Sequence, residues 1–309
     1  MNKLTKAGFA GLFLSLTAVL ASCGSSSETS SDTVAVTADV FPVTVGDLTL
    51  DAQPTRIISL SPTATEMLYA IGAGSQVVAV DEYSNYPAEA VALGTPLSGF
   101  EPNIEAISGY TPDLVIISYD PGSLVEQLST LDIPVFVAGA AMSIENVYEQ
   151  IEQLGVLTGN SQKAIEVSKT LQTGIEEAVA SVQFSEPPLS YYYELDNTYY
   201  SVTSNTFIGQ IFNLFGMRNI ADNVESGNDY PQLSAEVIVS ADPDFIFLAD
   251  TKCCAQDATT VAARDGWGGL KAVTANQVVE LDDDVASRWG PRVLELITAI
   301  RDAVVAANS

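Results

Sequence analysis

The chain has 309 residues and no histidine. Without imidazole there is no Ser-His-Asp triad, no Cys-His dyad and no histidine ligand for zinc. The commonest general base near neutral pH is missing too. Basic side chains are scarce: 12 Lys and Arg stand against 39 Asp and Glu. So acidic a chain repels phosphate backbones, which argues against nucleic acid as a partner. Cysteines number only three, with no Cys-x-x-Cys pair to suggest zinc. After the N-terminal segment no run of about 18 apolar residues occurs, so no later segment is built to cross a bilayer. Disorder is excluded from the other side, because 47% of the residues are hydrophobic and only 17% are charged.

The N-terminus is a leader. Lys3 and Lys6 precede a small, apolar stretch from Ala7 to Leu20, too short to span a bilayer with ease. It ends in Leu20-Ala21-Ser22-Cys23, which resembles a bacterial lipobox. On that reading residues 1–22 are removed, and Cys23 becomes the lipidated first residue; a plain signal peptide with a chance cysteine is the alternative. Residues 23–40 open with Gly24 and a Ser/Thr-rich run, a tether with nothing to bury. Lipidation anchors a protein without spanning the membrane, here on its outer side.

Beyond the tether, strands and helices alternate. Residues 41–50 alternate in polarity around Gly46-Asp47 and predict a hairpin. Strands are expected at 56–61, 76–81, 114–118 and 134–139, with helices from Pro62 to about 74 and over 104–108 and 121–131. This order predicts a parallel sheet with helices on its faces. From Ser143 to Gln183 strands vanish. Two helices are expected there, the second a connector of some 23 residues, about 35 Å long. A second series follows: strands at 189–195, 245–248 and 277–282, and helices at 206–217, 235–240 and 291–307.

The two series share a phrase. Glu105-Ala-Ile-Ser-Gly-Tyr-Thr-Pro-Asp113 and Glu236-Val-Ile-Val-Ser-Ala-Asp-Pro-Asp244 each lead from a Glu to Pro-Asp and then to apolar residues. Such self-similarity marks an internal duplication. The predicted fold is therefore α/β: an N-terminal lobe (41–159), a connecting backbone helix (160–184) and a C-terminal lobe (185–309). Glu105 and Glu236 each follow a capping residue, Asn103 and Ser234, by two positions. Both fall in the first turn of a helix, where the helix dipole favours an acid.

Candidate binding residues gather in loops. Tyr83, Phe100, Tyr119, Tyr200 and Tyr230 all follow strands or precede helices. In α/β sheets ligands bind at the C-terminal strand ends, where such loops sit. Ordinary loop packing accounts equally well for any one of them. Arg288 and Arg292 are two of only six arginines and lie within five positions. Arg288 is the better candidate to anchor a carboxylate, phosphate or amide, since Arg292 is expected inside the last helix. Offsetting the acids at 282–284 is the other role open to both. The adjacent Cys253 and Cys254 can close a strained vicinal disulfide or remain two loop thiols.

Taken in order, residues 54–87 ("PTRIISLSPTATEMLYAIGAGSQVVAVDEYSNYP"), 103–116 ("NIEAISGYTPDLVI"), 230–247 ("YPQLSAEVIVSADPDFIF") and 286–297 ("ASRWGPRVLELI") resemble the substrate-binding lipoproteins of ABC importers for cobalamin, haem and siderophores. The resemblance covers roughly residues 40–309. It implies two Rossmann-like αβ lobes joined by a single long backbone helix, with the ligand in the cleft between them. The cobalamin-binding members look most similar, through Tyr83-Ser84-Asn85-Tyr86-Pro87. That similarity implies Tyr83, Phe100, Tyr119, Tyr200, Tyr230, Asp284 and Arg288 as ligand contacts. It also implies Glu105 and Glu236 as the two acids that dock on a permease. Several of the aromatic positions are Trp in that group and are Tyr or Phe here, so a ferric siderophore or haem stays open as the ligand. The partners implied are a permease with its ATPase, a small-molecule chelate and the membrane through lipid. The chain itself is read as a monomer without catalysis or a resident cofactor. An extracytoplasmic carboxylate-based hydrolase is a remote alternative, because no spacing singles out an acid pair. A lipid-anchored sensor or adhesion module is another.

Overall fold

The computed structural model describes residues 39–308. The expected signal peptide, the lipidation site Cys23 and most of the tether lie outside the described residues. One tether position is tied to the fold: the Asp39 carboxylate accepts the Ser161 backbone N–H at 3.0 Å. The hairpin forms as expected from β1 (Val43–Val45) and β2 (Leu48–Leu50), antiparallel across Gly46-Asp47.

The N-terminal lobe follows. Strand β3 (Ile57–Leu60) leads into α1 (Pro62–Ala70), where Ser61 caps the helix and Pro62 occupies its first turn. Then come β4 (Val77–Val80), the short α2 (Ala88–Val91), α3 (Ile104–Gly109) and β5 (Leu114–Ile117). Helix α4 (Leu124–Ser129) and β6 (Val135–Val137) complete the lobe. The helix expected over 121–131 is shorter because Gly122 and Ser123 both take left-handed backbone angles, which an α-helix cannot continue through. All four lobe strands are parallel, in the order β4-β3-β5-β6.

Helices α5 (Ile144–Thr158) and α6 (Ser161–Ala180) form the bridge. Gly155 lets them close, because a Cβ there would collide with the Cβ of Ala164. The connector is shorter than the 160–184 expected. Its 20 residues span about 30 Å. Ser181 ends it, bonding its hydroxyl back to the Ala178 carbonyl, and Pro187-Pro188 follow shortly after.

The C-terminal lobe contains β7 (Ser190–Glu194), α7 (Phe207–Asn213), β8 (Arg218–Asn219) and α8 (Ala235–Ala241). It continues with β9 (Phe245–Leu248), α9 (Ala258–Ala262), α10 (Lys271–Thr274), β10 (Val278–Glu280), α11 (Asp283–Ser287) and α12 (Val293–Ala307). Its sheet is also parallel, ordered β10-β9-β7-β8. Taken by chain order within each lobe, both sheets run second-first-third-fourth, so the lobes share one topology.

Alternation along the strands sorts the cores. Tyr191, Tyr193, Phe245 and Phe247 point into a continuous cluster shared with Ile57, Leu114, Ile116 and helices α1, α5, α6 and α12. The opposite face of each sheet packs a smaller cluster: Tyr192, Ile246 and Leu248 in one lobe, Ile58, Val115 and Ile117 in the other.

The repeated Pro-Asp has the same task in each copy. At the start of β5 the Asp113 carboxylate accepts the backbone N–H groups of Thr55 and Arg56, pinning the entry to β3. At the start of β9 the Asp244 carboxylate accepts the backbone N–H and the hydroxyl of Ser190, the first residue of β7. Each is a charge-assisted clamp between the two central strands of a sheet. Replacing Asp244 by Ala leaves that strand entry unclamped, and we expect a loss of about 2 kcal/mol in urea unfolding.

Candidate functional site

At the C-terminal ends of β3, β4 and β5 the chain leaves a cleft of about 430 Å³. Leu60, Ser61, Asp81 and Ser118 form its floor at the strand ends. Tyr83, Phe100 and Tyr119 form one wall as a continuous aromatic row. Tyr83 and Phe100 meet edge to face at 5.6 Å, and Phe100 lies 6.2 Å from Tyr119. Asp284, Ser287, Arg288 and Trp289 from the C-terminal lobe close the other side. Five of the seven expected contacts thus share one cavity. Tyr200 and Tyr230 do not line it. They sit on the C-terminal lobe alone, on segments paired through a bridge between Tyr200 and Gln232.

Exposure sets these aromatics apart. Phe100 is 63% exposed, Tyr230 55%, Tyr83 53%, Tyr119 44% and Tyr200 40%. Among the described residues only Tyr86 and Phe184 are otherwise exposed to this degree. Large aromatic surfaces left in water at strand ends, beside a few polar groups, have the composition of a small-molecule site.

Arg288 is held from several directions. Its guanidinium donates to Glu66 Oε1 at 2.7 Å, to Asp284 Oδ1 at 2.6 Å and to the Tyr83 carbonyl at 3.0 Å. Arg292 gives Glu66 two more hydrogen bonds, 3.0 Å from Nε and 2.6 Å from Nη2, and stacks over the Tyr86 ring. It does not lie inside the final helix as expected but just before it, where α12 begins at Val293. Nor is its partner one of the acids at 282–284. Asp284 in turn receives Lys252 Nζ at 2.8 Å and Asn85 Nδ2 at 3.1 Å. Burial pushes the Asp284 carboxyl up, but Lys252, Arg288 and Asn85 outweigh it and hold it below the usual range. At the floor, burial raises Asp81 despite the hydrogen bond from Ser84 Oγ.

Glu66 went unnoticed in the sequence. It is 3% exposed, on a helix of the N-terminal lobe, yet both arginines come from the other lobe. A signal was there: one acid within the otherwise uncharged helix Pro62–Ala70. A larger open groove of about 890 Å³ lies behind this triad, between α1, α2 and α12. It is walled by helix sides and by the acids Glu89, Glu295 and Asp302, away from the strand ends, so the smaller cleft is the better candidate. Among the described residues no group of three or more His, Cys, Asp or Glu side chains could hold a metal ion.

Glu105 and Glu236 are both exposed in the first turn of their helices, capped by Asn103 and Ser234. The backbone N–H at the helix start and then Ser234 hold the Glu236 carboxyl below the usual range. Cys253 and Cys254 are free thiols in this structure, with their sulfurs 2.6 Å apart and the Cys253 N–H bound to Asp283.

The periplasmic binding protein family model matches residues 57–285, most of both lobes. This chain belongs to the periplasmic binding protein family. A cobalamin-binding protein of Halobacterium salinarum is 32% identical over 277 residues, covering 85% of this chain and 74% of that protein. An ABC transporter substrate-binding lipoprotein of Bacillus subtilis is 29% identical, covering 97% of each chain. The crystal structure of a periplasmic vitamin B12 binding protein from Vibrio cholerae superposes with a TM-score of 0.69 at 28% identity, covering 83% of this chain and 98% of that one. The family is one of substrate-binding transport proteins.

The Glu66 triad makes a sharp expectation. Glu66→Ala leaves Arg292 without its carboxylate and Arg288 with the carboxylate of Asp284 alone, and loss of a buried partner costs about 3–5 kcal/mol. Chemical denaturation should show that loss, whereas Lys252→Ala, which removes two pairs of an exposed lysine, should cost less than about 1 kcal/mol.

Proposed function

We propose that this chain is the lipid-anchored binding protein of an ABC importer and that its ligand is a corrinoid, cobalamin itself or a close analogue. The observation that carries the reading is the exposed row Tyr83–Phe100–Tyr119, facing Asp284 and Arg288 across one cleft. A corrin offers a broad apolar face, which suits the row, and a rim of amides, which suits a carboxylate beside a guanidinium. Tyr200 and Tyr230 supply further aromatic surface from the second lobe. The names of the relatives from Halobacterium salinarum and Vibrio cholerae support the ligand class, and that of the Bacillus subtilis relative supports the importer and the lipid anchor. The metal travels inside the ligand, so the protein needs only to hold and release it.

Glu105 and Glu236 are the docking acids of this proposal. They occupy matched positions in two lobes of the same topology, each on an exposed first turn. The helix dipole alone accounts for an acid at either site but not for the match.

Isothermal titration with cyanocobalamin should give one site per chain. Phe100→Ala removes the middle of the aromatic row, and we expect about tenfold weaker binding, roughly 1.4 kcal/mol. Tight binding of haem or a ferric siderophore with none of cyanocobalamin would reject the corrinoid. The double variant Glu105→Ala with Glu236→Ala should keep its affinity while cellular uptake of the ligand falls to background. A loss of affinity instead would place those acids in the cleft or the fold.

A further inference from the structure

Inside the C-terminal lobe lies a buried acid cluster that the cleft does not explain. Glu194 ends β7, and Asp250 lies two residues past β9, the neighbouring strand. Both are fully buried. Arg264, just beyond α9, grips Glu194 with two hydrogen bonds, 2.6 Å to Oε2 and 2.5 Å to Oε1, and donates a third to Gln256 at 2.7 Å. Its guanidinium lies over the rings of Trp267 at 4.6 Å and Tyr199 at 5.4 Å. Its charge is thus spent on Glu194. Among the described residues no donor reaches either carboxyl oxygen of Asp250, and the side chain placed to share a proton with it is the carboxyl of Glu194.

A count of the charges facing Asp250 shows the difficulty. Glu194, Tyr192 and Tyr193 face it from β7, Asp283 from α11 and Cys253 from the loop after β9, while among the described residues Arg264 supplies the positive charge. Two ionised carboxylates on one guanidinium leave a net negative charge in a sealed interior, which is costly. A single proton on the pair removes it.

The same cluster holds the segment that carries Tyr200. Tyr199 is left-handed at φ 71°, an unfavourable state for a bulky residue, and stacks on Trp267 at 5.6 Å beside Arg264. The next carbonyl, that of Tyr200, accepts the N–H of Leu195, the neighbour of Glu194, and the Tyr199 carbonyl accepts the N–H of Leu233. The Tyr200 and Tyr230–Gln232 segments are therefore aimed by the Glu194–Arg264–Tyr199 stack.

We propose that Asp250 holds a proton in the folded protein and that Glu194, Asp250 and Arg264 act as a proton-dependent positioning device for Tyr200. Ionised Asp250 competes with Glu194 for Arg264, draws the guanidinium off Tyr199 and releases the strained turn, so the Tyr200 segment loosens and ligand is held less tightly. The binding consequence rests on the proposed corrinoid reading; the proton itself does not. Burial first, and then the charge of Glu194, raise Asp250 from the ordinary aspartate range to about 7. A carboxyl raised by folding binds its proton more tightly in the native state. Its stabilisation is complete below the unfolded value, about 4, and is lost as pH rises through about 7.

The test compares wild type with Asp250→Asn, which keeps the shape and stays neutral. Wild-type affinity for cyanocobalamin should fall about tenfold between pH 5.5 and pH 8.5, one pKa unit's worth. In the variant it should stay level. The wild-type infrared spectrum at pH 5.5 should show a protonated-carboxyl C=O band that weakens by pH 8.5 and is missing from the variant. The fall in wild-type Tm over the same range should likewise be smaller in the variant. A variant that keeps the full pH dependence overturns the proposal. Should the variant not fold, the wild-type band decides: no protonated carboxyl at pH 5.5 overturns it. If cyanocobalamin does not bind at any pH, the corrinoid reading falls, and the infrared and Tm comparisons still decide whether Asp250 holds a proton.

Discussion

One buried carboxylate joins the two lobes. Glu66 lies near the middle of a first-lobe helix and is met by Arg288 and Arg292 from the second. A lone carboxylate at that depth would be expensive, and so would two lone guanidinium groups. Together they satisfy one another, and the geometry of the cleft follows. Arg288 reaches Asp284 and the Tyr83 carbonyl from the same anchored position, so the aromatic wall and the polar wall share a fixed point. Asn85, bound to Asp284, repeats the tie. The continuous apolar cluster running through both lobes by way of α5, α6 and α12 supports the same arrangement. The lobes are joined by packing and by charge, rather than by a linker alone.

A topology used twice accounts for much of the rest. The two parallel sheets have the same strand order, and each uses one aspartate to clamp the entries of its two central strands. The lobes then diverge in their interiors. The first packs aliphatic side chains against its sheet. The second uses packed aromatics, Tyr191 stacked on Phe212 at 4.1 Å and Phe212 edge to face with Phe247 at 4.8 Å, and buries a charged cluster under its outer loops. The same topology thus carries the floor of the cleft over Leu60 and Asp81 in one lobe and a buried cluster of Glu194, Asp250 and Arg264 in the other.

Local chemistry was readable wherever it repeats or alternates. Apolar runs gave the strands of both sheets, and the polarity switch around Gly46-Asp47 gave the hairpin. The caps Asn103 and Ser234 are confirmed by hydrogen bonds from Ala106 and Val237. The short elements escaped. Strand β8 has two residues and only one neighbour, so no run of apolar side chains announces it. Helices α9 and α10 have five and four residues, too few for a periodic pattern to emerge. The connector ends before its apolar spacing does, because Val182 continues the spacing past Ser181, where the helix stops.

By itself the sequence determined the kind of molecule: an acidic, histidine-free chain with two αβ lobes, a connector helix and aromatic loops at strand ends. Each of those is a local or periodic property, visible along the chain. The tertiary structure alone decided which charges meet. Glu66 and Arg288 are 222 residues apart, and Glu194 and Arg264 are 70 apart. No local pattern pairs residues at such separations. The cost of burying an unpaired charge appears only once packing has removed the water, and that cost selects the partners.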